Sequence, residues 1–139
     1  MNAVDTNVLI YRADWNETTK QPVARDLVNN LSSDPEPTFL LWQVLVEFVA
    51  QMSRWENREM LTGDQFTEIM NSARNLFTLV LPTPEVLDRA LELSERYSIS
   101  HWDSMILGAC IEAGVDTLYT EDMGAPTRYE SVNLVNPFV

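Results

Sequence analysis

The stretch Asn2-Ala3-Val4-Asp5-Thr6-Asn7-Val8-Leu9 decides how the chain is read. Asn2 to Asp5 has the form of a short buried strand ending on an acid, followed by apolar Val8, Leu9 and Ile10. Working outward, short apolar runs alternate with amphipathic stretches. Val23, Ala24, Leu27, Val28 and Leu31 recur at the 3–4 spacing of a helix face, with Pro22 near its start. The cluster Ser32-Ser33-Asp34-Pro35-Glu36-Pro37 ends that helix as a loop. Thr38–Leu41 reads as a second strand running into an apolar helix from about Gln43 to Trp55. Phe66, Ile69, Met70, Ala73, Leu76 and Phe77 mark the next helix, and Leu79-Val80-Leu81 a third strand.

Thr83-Pro84-Glu85 is a helix start, with a hydroxyl cap, proline in the first turn and an acid behind it. Its inward face is Val86, Leu87, Ala90, Leu91 and Tyr97. Ser100 opens another helix that Gly114 stops, and Thr117–Tyr119 and Val132–Val135 give a fourth and fifth strand. Strands interleaved with helices imply an α/β fold: a three-layer α/β/α sandwich on a short, mainly parallel five-stranded sheet. In such sheets ligands bind beyond the carboxyl ends of the strands.

A length of 139 residues fits one domain. Lys plus Arg total 9 against 21 Asp plus Glu, a net charge of −12, and Lys20 is the single lysine. With no basic stripe, a generic phosphate-tracking nucleic-acid binder is disfavoured. One cysteine excludes an intrachain disulfide, and one histidine closes most His-based metal and triad chemistry. Asp5, Arg12 and Asp14 interrupt any signal-like apolar run, so a soluble cytoplasmic protein with no membrane partner is expected.

Four acids stand out. Asp5 and Asp122 follow the first and fourth strands, and each also suits a turn or helix cap. Glu47 lies in Val44-Leu45-Val46-Glu47-Phe48-Val49-Ala50, aligned with Gln43, Gln51 and Arg54 on a narrow polar stripe. That stripe suits solvent or a cleft wall. Asp103, three residues after Ser100, resembles a capping-box partner. Together the four acids can converge on one pocket, where mutual repulsion would raise their pKa values unless cations compensate. Oxygen ligands without Cys or His select Mg²⁺ or Mn²⁺, which can activate water for phosphodiester hydrolysis.

These motifs resemble, over nearly the whole chain, a PIN-domain ribonuclease of the VapC toxin type. Asp5-Thr6-Asn7, Glu47, Ser100-His101-Trp102-Asp103 and Leu118-Tyr119-Thr120-Glu121-Asp122-Met123 follow the family's order of motifs. Val135-Asn136-Pro137-Phe138 is similar to its common ending. The resemblance implies a single PIN-like domain over 1–139 and a Mg²⁺- or Mn²⁺-dependent endoribonuclease. Asp5, Glu47, Asp103 and Asp122 would form its catalytic, metal-holding site. Asn7 and Thr120 would support it, with Glu121 substituting for or assisting Asp122. It also implies an RNA substrate, a cognate antitoxin and a homodimer. One departure is Ala125-Pro126-Thr127-Arg128, where a longer glycine-containing loop is the family pattern.

Other functions fare worse. A receiver domain needs a lysine at a late strand end, and Lys20 precedes the first long helix. A haloacid-dehalogenase-like phosphatase needs an acid where Asn7 stands. A catalytically silent PIN-like scaffold that only binds a partner is the remaining rival. Cys110 and the methionines read as core, the four tryptophans as mostly core or interface, and His101 as a surface or capping side chain.

Overall fold

The computed structural model describes residues 1–124 and 126–139. The expected departure beginning at Ala125 therefore lies partly outside the described residues. In chain order the elements are β1 (Asn2–Val4), α1 (Thr6–Ala13), α2 (Lys20–Ser33), β2 (Thr38–Leu41), α3 (Trp42–Asn57) and α4 (Gly63–Arg74). They continue with β3 (Thr78–Val80), α5 (Pro84–Tyr97), α6 (His101–Ala113), β4 (Thr117–Tyr119), β5 (Arg128–Tyr129) and β6 (Val132–Val135).

The strand order is β3-β2-β1-β4-β6-β5, parallel throughout except for the β5–β6 pair. The α/β class and mainly parallel sheet match the expectation, but among the described residues there are six strands rather than five. The sixth, β5, is two residues long and returns to β6 through Glu130, which sits at φ 52°. So short a strand exists through its pairing and carries no periodicity of its own.

Successive strands β1, β2 and β3 step toward one edge, then β4 reverses to the far side of β1. Right-handed crossovers therefore put the two groups of connecting helices, α1–α4 and α5–α6, on opposite faces. The reversal leaves a crevice at the carboxyl ends of β1 and β4, the switch point where open α/β sheets bind ligands. Register fixes that edge, with Val4 opposite Tyr119 and Asp5 N–H donating to the Tyr119 carbonyl at 2.8 Å.

The core is mainly apolar, with Val4, Leu9, Leu40, Phe48, Met52, Leu107 and Leu118 almost fully buried. Gly108 lets α6 pack closely on α5, since a Cβ there would lie 2.9 Å from the Val86 carbonyl oxygen. Several sequence expectations need correction. Val8, Leu9 and Ile10 belong to helix α1. Thr83 caps α5 without a side-chain hydrogen bond, because its backbone carbonyl takes the Val86 N–H instead. Val23, Leu87 and Leu91, expected inward, are exposed. Three of the four tryptophans are exposed too, Trp15 at 73% and Trp102 at 66%, so they contribute little to the core.

Candidate active site at the sheet switch point

Asp5 sits where β1 ends and α1 begins. It is 5% exposed and N-caps α1, its Oδ1 accepting from Thr6 N–H at 2.7 Å. The cap reading of Asp5 is thus correct as local structure, and it coexists with a place in the crevice. The other oxygen, Oδ2, accepts from the Thr120 hydroxyl at 2.7 Å, just past β4. Thr120 Oγ1 in turn accepts from Asp122 N–H at 3.2 Å, which ties the loop after β4 to Asp5.

Glu47 reaches the same place from α3. Its Oε2 accepts from the Thr6 hydroxyl at 2.7 Å and its Oε1 from Gln43 Nε2 at 3.0 Å. Gln43 also donates to the Trp102 carbonyl at 3.2 Å, which joins α3 to the first turn of α6 beside Asp103. The polar stripe on α3 therefore lines a cleft at its Gln43–Glu47 end, while Gln51 pairs with Arg54 further along. Asp103 N–H donates to the Ser100 hydroxyl, completing the cap half of the expected box. The Asp103 and Asp122 carboxylates accept no hydrogen bond among the described residues.

Burial pushes the Asp5 carboxyl above its usual value. The Thr120 and Thr6 hydrogen bonds oppose that shift, and the charges of Asp122 and Glu47 add to it. The expected repulsion is thus present but secondary to desolvation. Among the described residues, no three Asp, Glu, His or Cys side chains stand close enough to cage a cation unaided.

Two residues that sequence reasoning placed in support behave differently. Both polar atoms of the Asn7 amide are buried without a hydrogen-bond partner among the described residues. Glu121 turns away into its own network, paired with Lys20 Nζ and accepting from the Tyr11 hydroxyl at 2.6 Å. Burial works against the charge of Glu121, but Lys20 and Tyr11 outweigh it and hold its carboxyl low. That engagement separates Glu121 from Asp122. Thr6 is the residue sequence reasoning missed; the signal was its place between a strand-end acid and a helix.

The donor set suits a hard divalent cation. Asp5 and Glu47 each keep oxygen lone pairs beyond those their hydrogen bonds use, and the unpartnered Asn7 amide adds another oxygen. Cys110 is buried, and that burial pushes its thiol up toward the protonated form, so it offers no soft ligand.

The sequence profile of the PIN domain matches residues 3–127. The chain belongs to the PIN-domain family, a family of nucleases whose members generally use divalent metal ions. Solved structures with the same fold include VapC20 of Mycobacterium tuberculosis, described as a toxin that cleaves the sarcin–ricin loop. It is 16% identical with TM-score 0.66, over 88% of this chain and 90% of that one. VapBC2 of Rickettsia felis, bound to a DNA fragment from its promoter, is 14% identical with TM-score 0.70 over 97% of both chains. A toxin–antitoxin complex from Klebsiella pneumoniae is 17% identical with TM-score 0.68, over 99% of this chain and 98% of that one. No curated protein sequence matches the chain. Among the described residues, no helix is long and apolar enough to cross a membrane.

Proposed function

We propose that this chain is a Mg²⁺- or Mn²⁺-dependent endoribonuclease, the toxin of a toxin–antitoxin pair acting in the cytoplasm as one PIN-like domain over 1–139. One observation carries the reading: a buried carboxylate, Asp5, held at the switch point by Thr6 and Thr120, with Glu47 linked to it through the Thr6 hydroxyl. A surface acid serving only as a cap needs no such second arrangement around it.

In this reading Asp5, Glu47, Asp103 and Asp122 hold the metal. The metal, when bound, supplies water activation and charge neutralisation at the phosphate. Thr6 and Thr120 fix the rotamers of Glu47 and Asp5, so the buried acids meet substrate already aligned. Asn7 has a free amide to position water or a ligand. The half-buried Asp103 and the exposed Asp122 keep carboxylates free to adjust as RNA arrives. The toxin–antitoxin assembly among the structural neighbours supports an antitoxin partner, and exposed Leu87 and Leu91 on α5 support a homodimer.

The test is RNA cleavage by purified protein with Mg²⁺, after EDTA, and for Asp5→Asn and Asp103→Asn. Loss in all three deficient cases supports the proposal. The silent-scaffold reading draws on the lack of a three-acid cluster among the described residues. It expects no metal-dependent cleavage by the wild type at all.

A further inference from the structure

Helix α1 has Asp5 as its cap and Tyr11 in its second turn, so both side chains are carried by one short rigid element. The Tyr11 hydroxyl donates to Glu121 Oε2 at 2.6 Å, and Lys20, from the first turn of α2, pairs with Oε1 of the same carboxylate. Lys20 Nζ also donates to the Tyr11 hydroxyl at 3.3 Å. Behind the ring, Phe138 packs edge-on at 5.0 Å between centroids, and its N–H donates to Asn136 Oδ1 at 2.9 Å. Helices α1 and α2, the loop after β4 and the segment after β6 therefore meet at Tyr11.

Glu121 stands between Thr120, whose hydroxyl donates to Asp5, and Asp122. Asp122 has its own tether, the 3.2 Å bond from its N–H to Thr120 Oγ1. A bond that closes two residues back fixes a turn, not the place of the loop against the rest of the protein. The Glu121 carboxylate supplies the second anchor. With Thr120 on Asp5 and Glu121 on Tyr11, two successive residues tie the loop to α1, and it can no longer pivot about either one. The Glu121 hydrogen bond, and then burial, hold the Tyr11 phenol above its usual pKa, so the hydroxyl remains a donor. Tyr11 matters more here than Lys20. A partly exposed ammonium pair is screened by solvent, whereas the half-buried hydroxyl makes a charge-assisted bond.

We propose that Tyr11 is a positioning residue: backed by Phe138, it latches Glu121 and thereby sets Asp122 against Asp5 for a divalent cation. The proposal rests on the reading of these acids as a metal site. It adds to that site a tyrosine, a phenylalanine near the end of the chain and an acid that itself binds no metal.

The experiment titrates Mn²⁺ into the purified full chain, with free ion read by electron paramagnetic resonance. Tyr11→Phe keeps the ring on Phe138 and removes only the hydroxyl. It should weaken Mn²⁺ binding by about three- to tenfold, less than the loss of a group touching a metal ligand itself. Glu121→Ala should do at least as much, and Glu121→Gln, whose amide oxygen still accepts from Tyr11, should recover most of the affinity. In an Asp122→Asn background Tyr11→Phe should cost nothing further, because its effect runs through Asp122. Unchanged Mn²⁺ affinity in folded Tyr11→Phe and Glu121→Ala overturns the proposal, even where their melting temperatures fall. So does an equal loss with and without the Asp122 carboxylate, or no Mn²⁺ binding by the wild type. RNA cleavage by the wild type, scored separately, judges the nuclease reading, while the Mn²⁺ titration alone judges the latch.

Discussion

The four acids of the proposed site are anchored in two different ways. Asp5 and Glu47 are fixed by hydroxyl and amide donors from three separate elements or their flanks, and Asp5 is almost fully buried. Asp103 and Asp122 are anchored only through their backbone N–H groups, leaving their carboxylates unclaimed. The fold therefore invests its preorganisation where water is excluded and leaves the solvent side adaptable. A buried acid without donors would be costly, whereas an exposed one is hydrated at no expense.

Asp5→Asn breaks the buried half most sharply. RNA cleavage should fall by two or more orders of magnitude, since a ligand charge is lost while the shape is kept. The same variant should be more stable than wild type without metal. Below the unfolded value of 3.8 both folded and unfolded chains hold the Asp5 proton. As pH rises past that point the unfolded chain ionises first, so folding is progressively penalised until the folded pKa is passed. The melting-temperature gap between Asp5→Asn and wild type should accordingly open as pH rises from 3 to 7. Asparagine caps helices as well as aspartate does, so α1 keeps its N-cap. A gap that closes with rising pH would contradict the burial account.

Thr120→Val tests the donor rather than the acid. It strands Asp5 Oδ2 and the Asp122 N–H together and should destabilise the chain by about 1–3 kcal/mol, measured by urea denaturation. Thr120→Ser should recover most of that. Gly108→Ala addresses the open half through packing alone. Its new methyl meets the Val86 carbonyl, and the strain should be about 1–3 kcal/mol, with α6 and Asp103 displaced while Asp5 is untouched. Mg²⁺ stabilisation read by thermal melting should then weaken more than it does for a surface control. The smallest effect belongs to Lys20→Met. Its solvent-screened pair with Glu121 should contribute little to stability, with a melting temperature close to wild type, and cleavage should change only a few-fold.

What could be read from sequence follows from how local each feature is. Asp5 and Thr120 were legible because strand ends are marked by apolar runs, and the parallel alternation placed both on one edge. Helix α1 was not. It is eight residues long, lacks an acid in its first turn, and its buried Val8 and Leu9 continue the apolar character of β1. The two-residue β5 has no pattern to read. Glu121 and Asp122 are neighbours with similar chemistry, and only the tertiary approach of Tyr11 and Lys20 separates them.

Lys20 also has a practical consequence for chemistry done on the protein from outside. Its ammonium lies against Glu121 and the Tyr11 hydroxyl, 4.8 Å from the Tyr11 ring centroid and 5.8 Å from that of Phe138. Because it is the only lysine, an acylating reagent meets a single side-chain amine, and a mass increment located at residue 20, apart from that on the terminal amine, reports its capture. Acylation removes the positive charge and leaves Glu121 with the Tyr11 hydroxyl alone. The rate of that modification becomes a clock for how often the loop beginning at Thr120 lets go of α2.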